Sequence, residues 1–289
     1  MAMPAGIGLL LFVAVPFVTA IWLSTQNVSL NSGRAPAWFG LEQYRRILLD
    51  PDFRGVFYRG LLNNFVFAVI VVPVQTGAAV GLAVLLNRKL KGMAIYRTFF
   101  FMPIVFPMAL VAVMWKLIYS RDDLGMLNSV IHAVTFGHVG PVDWLGDSHF
   151  ALASIILLSI WQGVGFQTII VLAGLQGISP ALYEAAAIDK ANRWNQFRHV
   201  TLPGLRNTLI FVVMVTTIFS FRLFDQVYIL TPTGGPGNST TTLMFQAVNS
   251  AFNANNVGRG AAITVVLFII VLAITVLQRR ILKEEREIS

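Results

Sequence analysis

Six long apolar segments alternate with shorter polar ones along the chain. Each apolar segment has about 20 residues, the length that an α-helix needs to cross the ~30 Å hydrocarbon core of a bilayer. The pattern predicts membrane-spanning helices at about Pro4–Ser24, Asn63–Leu86, Tyr96–Tyr119, Phe150–Leu175, Thr208–Leu230 and Gly258–Gln278. We therefore expect an all-α polytopic membrane protein whose residues 1–289 form a single transmembrane domain.

The charges of the polar segments predict the side of the membrane on which each lies. Basic residues cluster after the second, fourth and sixth apolar segments, at Arg88, Lys89, Lys91 and Arg97, at Lys190, Arg193, Arg198 and Arg206, and at Arg279, Arg280, Lys283 and Arg286. Because cytoplasmic loops carry an excess of Lys and Arg, we expect these segments and both termini in the cytoplasm. The segment 231–257 contains no Lys or Arg and is expected outside.

The polar segment 41–60 disagrees with this assignment. It contains four arginines, yet it must lie outside if all six apolar segments cross the membrane. The spacing of Tyr44, Ile47 and Leu48 predicts a short amphipathic helix within it. Such a helix can rest on the outer membrane surface, where its arginines reach the lipid headgroups.

Composition excludes several classes of function. The chain is 56% hydrophobic and 12% charged, with a net charge of +8 and no cysteine. The absence of cysteine excludes a disulfide framework and a thiolate metal site. Basic charge beside apolar segments is typical of membrane topology signals, so we expect no binding of nucleic acid.

Enzyme signatures are missing as well. A P-loop requires a glycine-rich turn that ends in Gly-Lys, and no lysine of this chain follows a glycine. The four histidines are scattered without metal-ligand spacing, and no pattern of nucleophile and base stands out. We expect a chain with no catalytic residue, no metal site and no cofactor of its own.

The polar segment of about residues 179–204 is rich in residues that favour helices. Ser179 and Pro180 mark a helix start, and Asn192 can cap a second short helix. Trp194 and Phe197 would share one face of that second helix, which we expect Pro203 to end. The prediction is a helix-turn-helix at the membrane surface that exposes an aromatic ridge together with Glu184 and Asp189. The residues alone leave open whether it binds a partner or only packs against its own bundle.

This segment resembles the EAA loop, with which the membrane subunits of bacterial ABC importers bind their ATPase subunits. The positions that match the motif are Glu184, Ala185, Ala186, Asp189, Ala191, Leu202 and Pro203. Lys190 stands where the family has a glycine that permits a positive φ, a conformation that costs another residue about 1 kcal/mol. The resemblance implies that this loop, including Phe197, inserts into a groove of an ATPase that binds ATP and Mg²⁺.

The resemblance extends over nearly the whole chain. Further matching stretches are Phe39-Gly40-Leu41-Glu42-Gln43-Tyr44, Ala173-Gly174-Leu175-Gln176-Gly177-Ile178 and Thr233-Gly234-Gly235-Pro236. They are similar to the first permease subunit of type I ABC importers of the maltose and glycerol-3-phosphate kind. The resemblance implies a carbohydrate or carbohydrate-like solute and a place in the bacterial inner membrane. It also implies a second permease subunit, two ATPase subunits and an extracytoplasmic solute-binding protein as partners.

Polar side chains within the apolar segments are candidates for the solute pathway, since burying them in a membrane is costly. The fourth segment contains Trp161, Gln162 and Gln167, which offer hydrogen bonds and an apolar face to a sugar. Bonding between helices is the alternative role for the glutamines. The fifth segment contains Arg222, Asp225 and Gln226. The first two are three residues apart, which predicts that they share one helical face. They either form an ion pair or line the pathway or its outer gate.

Two other functions remain open on the residues alone. An ion-coupled secondary transporter would use Arg222 and Asp225 as a relay, although no repeat relates the two halves of the chain. A non-transporting membrane scaffold would use the segment 179–204 to recruit a partner.

Overall fold

The computed structural model describes residues 3–30, 35–88, 91–122 and 125–282. The predictions that concern Lys89, Lys283 and Arg286 lie outside the described residues. The helices are α1 Met3–Ser24, α2 Glu42–Leu49, α3 Pro51–Leu86, α4 Met93–Val105, α5 Met108–Ile118, α6 Met126–Val134, α7 Ala151–Gln176, α8 Pro180–Ile188, α9 Arg193–Gln196, α10 Arg206–Phe221, α11 Asp225–Leu230, α12 Leu243–Val248 and α13 Val257–Ile281. Two short strands, β1 Gln26–Asn27 and β2 Ala37–Trp38, pair antiparallel with Gln26 opposite Trp38.

Within the described residues, five helical stretches have the length and apolar character to cross a membrane, and a bent pair supplies a sixth. Four of the five are α1, α3, α7 and α13, and the fifth is Arg206–Leu230. The helix α3 begins twelve residues before the predicted start, because Pro51 suits a first helical position. Its 36 residues span about 54 Å, so part of it extends beyond the hydrocarbon core.

The predicted third span consists of two helices. The helices α4 and α5 meet at 98° across Phe106 and Pro107. Phe106 is extended, with ψ of 137°, because the residue before a proline is sterically disfavoured in the helical region. The residues on both sides of Pro107 are equally apolar, so the hydropathy pattern alone predicted one continuous span.

The predicted fifth span is also interrupted. The helix α10 ends at Phe221, and α11 begins at Asp225. Between them, Phe224 has φ of −140° and ψ of −61°, which is not helical. The break therefore lies at the polar positions that the sequence places near the end of this span.

The chain forms two compact units. The first comprises Met1–Val66, Leu145–Leu152 and Phe221–Ile274. In it, Asn63 donates to the carbonyls of Asn238 and Thr241 at 3.1 and 2.9 Å, while Asn64 accepts from the amide of Leu243 at 3.0 Å. These buried amides attach the loop after α11 to α3.

The predicted helix around Tyr44, Ile47 and Leu48 is confirmed in this first unit as α2, and the side of the membrane on which it lies stays a prediction. Glu42 in its first turn forms ion pairs with Arg45 at 2.7 Å and Arg46 at 3.2 Å. The hydrogen bonds from these two arginines lower the pKa of Glu42 to about 2.

The second unit comprises Phe67–Trp144, Ala153–Ser220 and Thr275–Ser289. Its core joins α3, α7 and α10 through the buried residues Ala79, Val80, Ala83, Val171, Leu172, Leu175, Leu205 and Val212. Small side chains on α3 let the helices approach closely. The single transmembrane domain over residues 1–289 stays a prediction.

Candidate functional site: an exposed helix-turn-helix

The segment 179–204 forms the predicted helix-turn-helix in the second unit, and its first helix is α8. Pro180 occupies the first turn and Ser179 the N-cap position, which confirms the predicted helix start, although the side chain of Ser179 caps no amide. None of the side chains of α8 is buried, and Leu182 and Ile188 are 54% and 82% exposed. This helix therefore keeps apolar surface that the core of the second unit does not cover.

The turn after α8 is a Schellman motif centred on Lys190. The amide of Ala191 donates to the carbonyl of Ala186 at 2.9 Å, and the amide of Lys190 donates to that of Ala187 at 3.0 Å. Lys190 has φ of +55°, the left-handed conformation that normally selects glycine at this position. The positive φ implied by the resemblance is thus present although the glycine is not.

The second helix begins as the sequence indicates. The side-chain oxygen of Asn192 accepts from the amide of Asn195 at 2.8 Å, which confirms the predicted cap. The rings of Trp194 and Phe197 stack with their centroids 5.7 Å apart, as their spacing predicted. Trp194 is 66% exposed, whereas Phe197 packs against the core of the second unit.

Pro203 does not end this helix, contrary to prediction. The chain remains helical through a π turn at Phe197–Thr201 and a last short turn at Leu202–Gly204. In the π turn, the amide of Leu202 donates to the carbonyl of Phe197, five residues earlier. The wider turn makes room for the ring of Pro203 and tolerates the missing hydrogen bond, since proline has no backbone N–H.

Buried contacts fix the base of the segment to the second unit. Leu205 is fully buried in the core, and Ile178 packs against that core. A methyl group at Gly204 would lie 2.8 Å from the Cδ1 atom of Ile178, so only glycine allows this approach without displacement. The hydroxyls of Tyr183 and Thr201 bond at 3.1 Å and join the two helices. The base of the segment is therefore continuous with the core of the second unit.

The charged groups of the segment are exposed. They are Glu184, Asp189, Lys190, Arg193 and Arg198. None of the ion pairs formed by residues 3–30, 35–88, 91–122 and 125–282 involves them. Both acidic groups and the alanines beside them are consequently available to another protein chain.

The candidate pathway glutamines make bonds between helices in the second unit. Gln167 is 4% exposed and donates to the Oε1 atom of Gln75 at 2.5 Å and to the hydroxyl of Thr216 at 2.9 Å. Gln75 in turn donates to the carbonyl of Ser159 at 2.6 Å. These three side chains and the carbonyl of Ser159 join α3, α7 and α10.

The neighbouring candidates differ from Gln167 in their surroundings. Gln162 is buried and donates to the carbonyl of Phe106 at 3.3 Å, which satisfies a group freed by the bend between α4 and α5. Trp161 is 42% exposed and lies beside Trp115, with ring centroids 5.6 Å apart. Of the three, Trp161 presents the most surface to a solute.

The fifth-span candidates belong to the first unit, whereas those of the fourth span belong to the second. Arg222 is exposed in the break after α10, and Asp225 is exposed at the start of α11. They do not share one helical face, and no ion pair within the described part of the chain joins them. Gln226, on α11, is partly buried.

Sequence reasoning missed other buried polar side chains of the spans. Among them, Gln75 and Thr216 are the partners of Gln167, and Asn63 and Asn64 attach the loop after α11 to α3. Each lies within an apolar segment at 5% exposure or less. Their signal was the same as that of Gln167, a polar side chain in a membrane span.

Comparison with known proteins identifies the chain. Residues 53–286 match the model of the family described as "binding-protein-dependent transport system inner membrane component". The chain belongs to this family. The prediction of a permease subunit of an ABC importer is thereby confirmed, as is its membrane location.

Two relatives illustrate the breadth of the family. The probable ABC transporter permease protein YurN of Bacillus subtilis (strain 168) is 35% identical over 280 residues, which cover 96% of this chain and 93% of YurN. The trehalose/maltose transport system permease protein MalF of Thermococcus litoralis is 31% identical over 287 residues, 99% of this chain and 94% of that protein.

A solved structure shares the fold. The crystal structure of a bacterial ABC transporter involved in the import of the acidic polysaccharide alginate contains a chain with a TM-score of 0.82 and 18% identity. The match covers 99% of this chain and 95% of that chain. The predicted fold class, an all-α polytopic permease of an ABC importer, is confirmed.

Proposed function

We propose that this chain forms half of the translocation pathway of an ABC importer for a carbohydrate or carbohydrate-like solute. The exposed segment 179–204 is the observation that supports the proposal. It presents Glu184 and Asp189 without ion-pair partners in the described structure, and its base is fixed in the core of the second unit. Such a surface suits docking to an ATPase and transmission of its movement.

The partners follow from membership of the family. A second permease subunit completes the pathway, two ATPase subunits bind ATP and Mg²⁺, and an extracytoplasmic binding protein delivers the solute. Closure of the ATPases shifts the pathway between two states, because they bind the segment differently in each. In this proposal the surface and both termini lie in the cytoplasm, which the excess of Lys and Arg in these polar segments supports.

The carbohydrate class is supported by the relative from Thermococcus litoralis, whose name specifies trehalose and maltose. Within this chain, Trp161 offers an exposed aromatic face next to Trp115, a surface suited to the apolar face of a sugar ring. Gln162 and Gln167 are better explained as structural groups, since their amides bond to neighbouring helices.

The observations give less support to the alternative functions. An ion relay needs a coupled pair of charges, whereas Arg222 and Asp225 form no ion pair with each other among the described residues. A scaffold that only recruits a partner does not require the segment to pack against a transmembrane core. The segment 179–204 is attached to that core through Leu205 and Ile178.

Affinity purification of the tagged chain from its native membrane tests the proposal. We expect an ATPase and a second permease to co-purify in stoichiometric amounts, and Glu184→Lys to release the ATPase while the chain stays inserted. Asp122→Lys reverses another exposed charge outside the segment and should retain the ATPase. Retention of the ATPase by Glu184→Lys, or solute transport by the purified chain without ATP, would contradict the proposal.

A further inference from the structure

The first unit contains a cavity of about 280 Å³ between α2, the first turns of α3, α12 and the start of α13. Its floor is apolar and includes Phe57 and Ile263, which are 2% and 3% exposed. Its wall is polar and includes Asp52, Gln246, Asn249 and Arg259. A concavity that combines apolar surface with placed polar groups is what a small-molecule site requires.

Arg259 is the cation of this cavity. Asp50 attracts it and Arg46 repels it through space, and neither forms an ion pair with it. Its guanidinium lies over the ring of Phe53, 3.9 Å from the centroid. The Nε atom is buried and has no acceptor, and no carboxylate among residues 3–30, 35–88, 91–122 and 125–282 forms an ion pair with this side chain. Arg259 also lies in the first turn of α13, where the helix dipole disfavours positive charge. A partly desolvated guanidinium in this position favours an anionic ligand.

The rest of the wall suits the hydroxyl groups of a sugar. Asp52 lines the cavity without an ion pair to Arg259, so an acceptor and a donor stand at separate places on the wall. Asn249 adds an amide, and Phe53 and Phe57 add aromatic surface. The volume lies just below the ~300–1,000 Å³ typical of ligand pockets, which fits one sugar unit rather than a longer oligosaccharide.

We propose that this cavity binds one unit of an anionic carbohydrate, such as a uronic acid, with the carboxylate on Arg259 and ring hydroxyls on Asp52 and Asn249. The assignment rests on the proposed function, in which the solute is a carbohydrate, and narrows that class to acidic sugars. The cavity is formed in part by residues of the segment 231–257, which is expected outside. It would hold the solute before translocation.

Calorimetric titration of the full chain in phosphatidylcholine nanodiscs tests the site. The probes are glucose and glucuronate, which differ only in the carboxylate at one carbon. We expect glucuronate to bind at least about tenfold more tightly than glucose, the effect of one charge-assisted hydrogen bond or more. Arg259→Gln should abolish this difference, and Arg259→Lys should retain only part of it, because lysine cannot bind a carboxylate bidentately.

Arg54→Gln is the matched control, since Arg54 is exposed on α3 and does not line the cavity. It should leave both affinities unchanged. Equal binding of glucose and glucuronate, no binding of either, or an undiminished glucuronate affinity in Arg259→Gln would overturn the proposal. Loss of glucuronate binding when phosphatidylglycerol replaces phosphatidylcholine would overturn it too, because the cavity would then hold a lipid headgroup.

The outcome is separable from that for the proposed function. A chain that co-purifies with its ATPase through Glu184, yet binds no glucuronate, remains an importer subunit without this sugar site. If Arg259→Gln does not insert into the membrane, the comparison of glucose with glucuronate in the unaltered chain and the Arg259→Lys variant still decides.

Discussion

The glutamine pair at the centre of the second unit gives a quantitative prediction. Gln167 donates to Gln75 at 2.5 Å, and both side chains are buried, at 4% and 5% exposure. A hydrogen bond between membrane helices contributes about 0.6 kcal/mol on average and about 1.7 kcal/mol at most. We therefore expect Gln75→Leu, Gln167→Leu and the double variant to show a coupling free energy of about 0.6–1.7 kcal/mol.

The single Gln167→Leu substitution should cost less than a count of its bonds suggests. It removes donors to Gln75 and Thr216 and leaves the Oε1 atom of Gln75 without this donor. It also removes the Oε1 atom of Gln167, which is buried and has no partner. These opposing terms are each about 1–3 kcal/mol, so only the double-mutant cycle isolates the bond.

Reversible unfolding of the purified chain in detergent micelles supplies the free energies. Gln162→Leu is the control, because Gln162 bonds to the carbonyl of Phe106 and not to this pair. Its effect should add to that of Gln75→Leu within about 0.3–0.5 kcal/mol. Equal additivity for Gln75→Leu and Gln167→Leu would refute the bond between the helices and reopen a role in solute binding.

Three further substitutions and one titration test the local structure. Lys190→Gly should raise the melting temperature of the chain, because glycine adopts the positive φ of this turn without the strain of about 1 kcal/mol that lysine has there. An unchanged or lower melting temperature would contradict the turn. Asn192→Ala should cost about 1 kcal/mol in the same assay through loss of the helix cap, whereas Asn195→Ala, which keeps the capped amide, should cost less. Phe197→Ala should destabilise the chain through a lost core contact and speed amide exchange across 193–204, and an unchanged exchange rate would show that Phe197 does not root the segment. Since the pKa of Glu42 is lowered from 4.5 to about 2, its ion pairs stabilise α2 above about pH 4.5 and are lost as the pH falls toward 2. Amide exchange in α2, corrected for its intrinsic pH dependence, should therefore accelerate over that range, and Glu42→Gln should remove the effect.

The apolar helices and the helix-turn-helix of residues 179–204 were predictable, because both depend on local patterns. Length and apolarity define a membrane helix, and the cap at Asn192 depends on residues within one turn. The positive φ at Lys190 was not predictable from the residue itself, since lysine gives no conformational signal for it. The resemblance to the family supplied that expectation.

The interruptions were not predictable because prolines and charges act through their surroundings. Pro107 bends its span by 98°, whereas Pro203 is absorbed by a π turn within a continuing helix. The carbonyl of Phe106, freed at the bend, is bonded by Gln162 from a distant part of the chain. Likewise, a spacing of three residues placed Arg222 and Asp225 on one helical face only if no break lay between them.

The absence of cysteine allows one direct test of the central claim, that the segment 179–204 is the cytoplasmic surface that binds the ATPase. In Ala185→Cys the introduced thiol is the only one in the chain. Thr233→Cys places an exposed thiol in the segment 231–257 instead. In intact cells we expect a membrane-impermeant maleimide to label Thr233→Cys and not Ala185→Cys, and a short thiol-to-amine cross-linker in membranes to join only Ala185→Cys to an ATPase identified by mass spectrometry. Labelling of Ala185→Cys from outside, or the absence of any cross-link from it to an ATPase, would contradict the account.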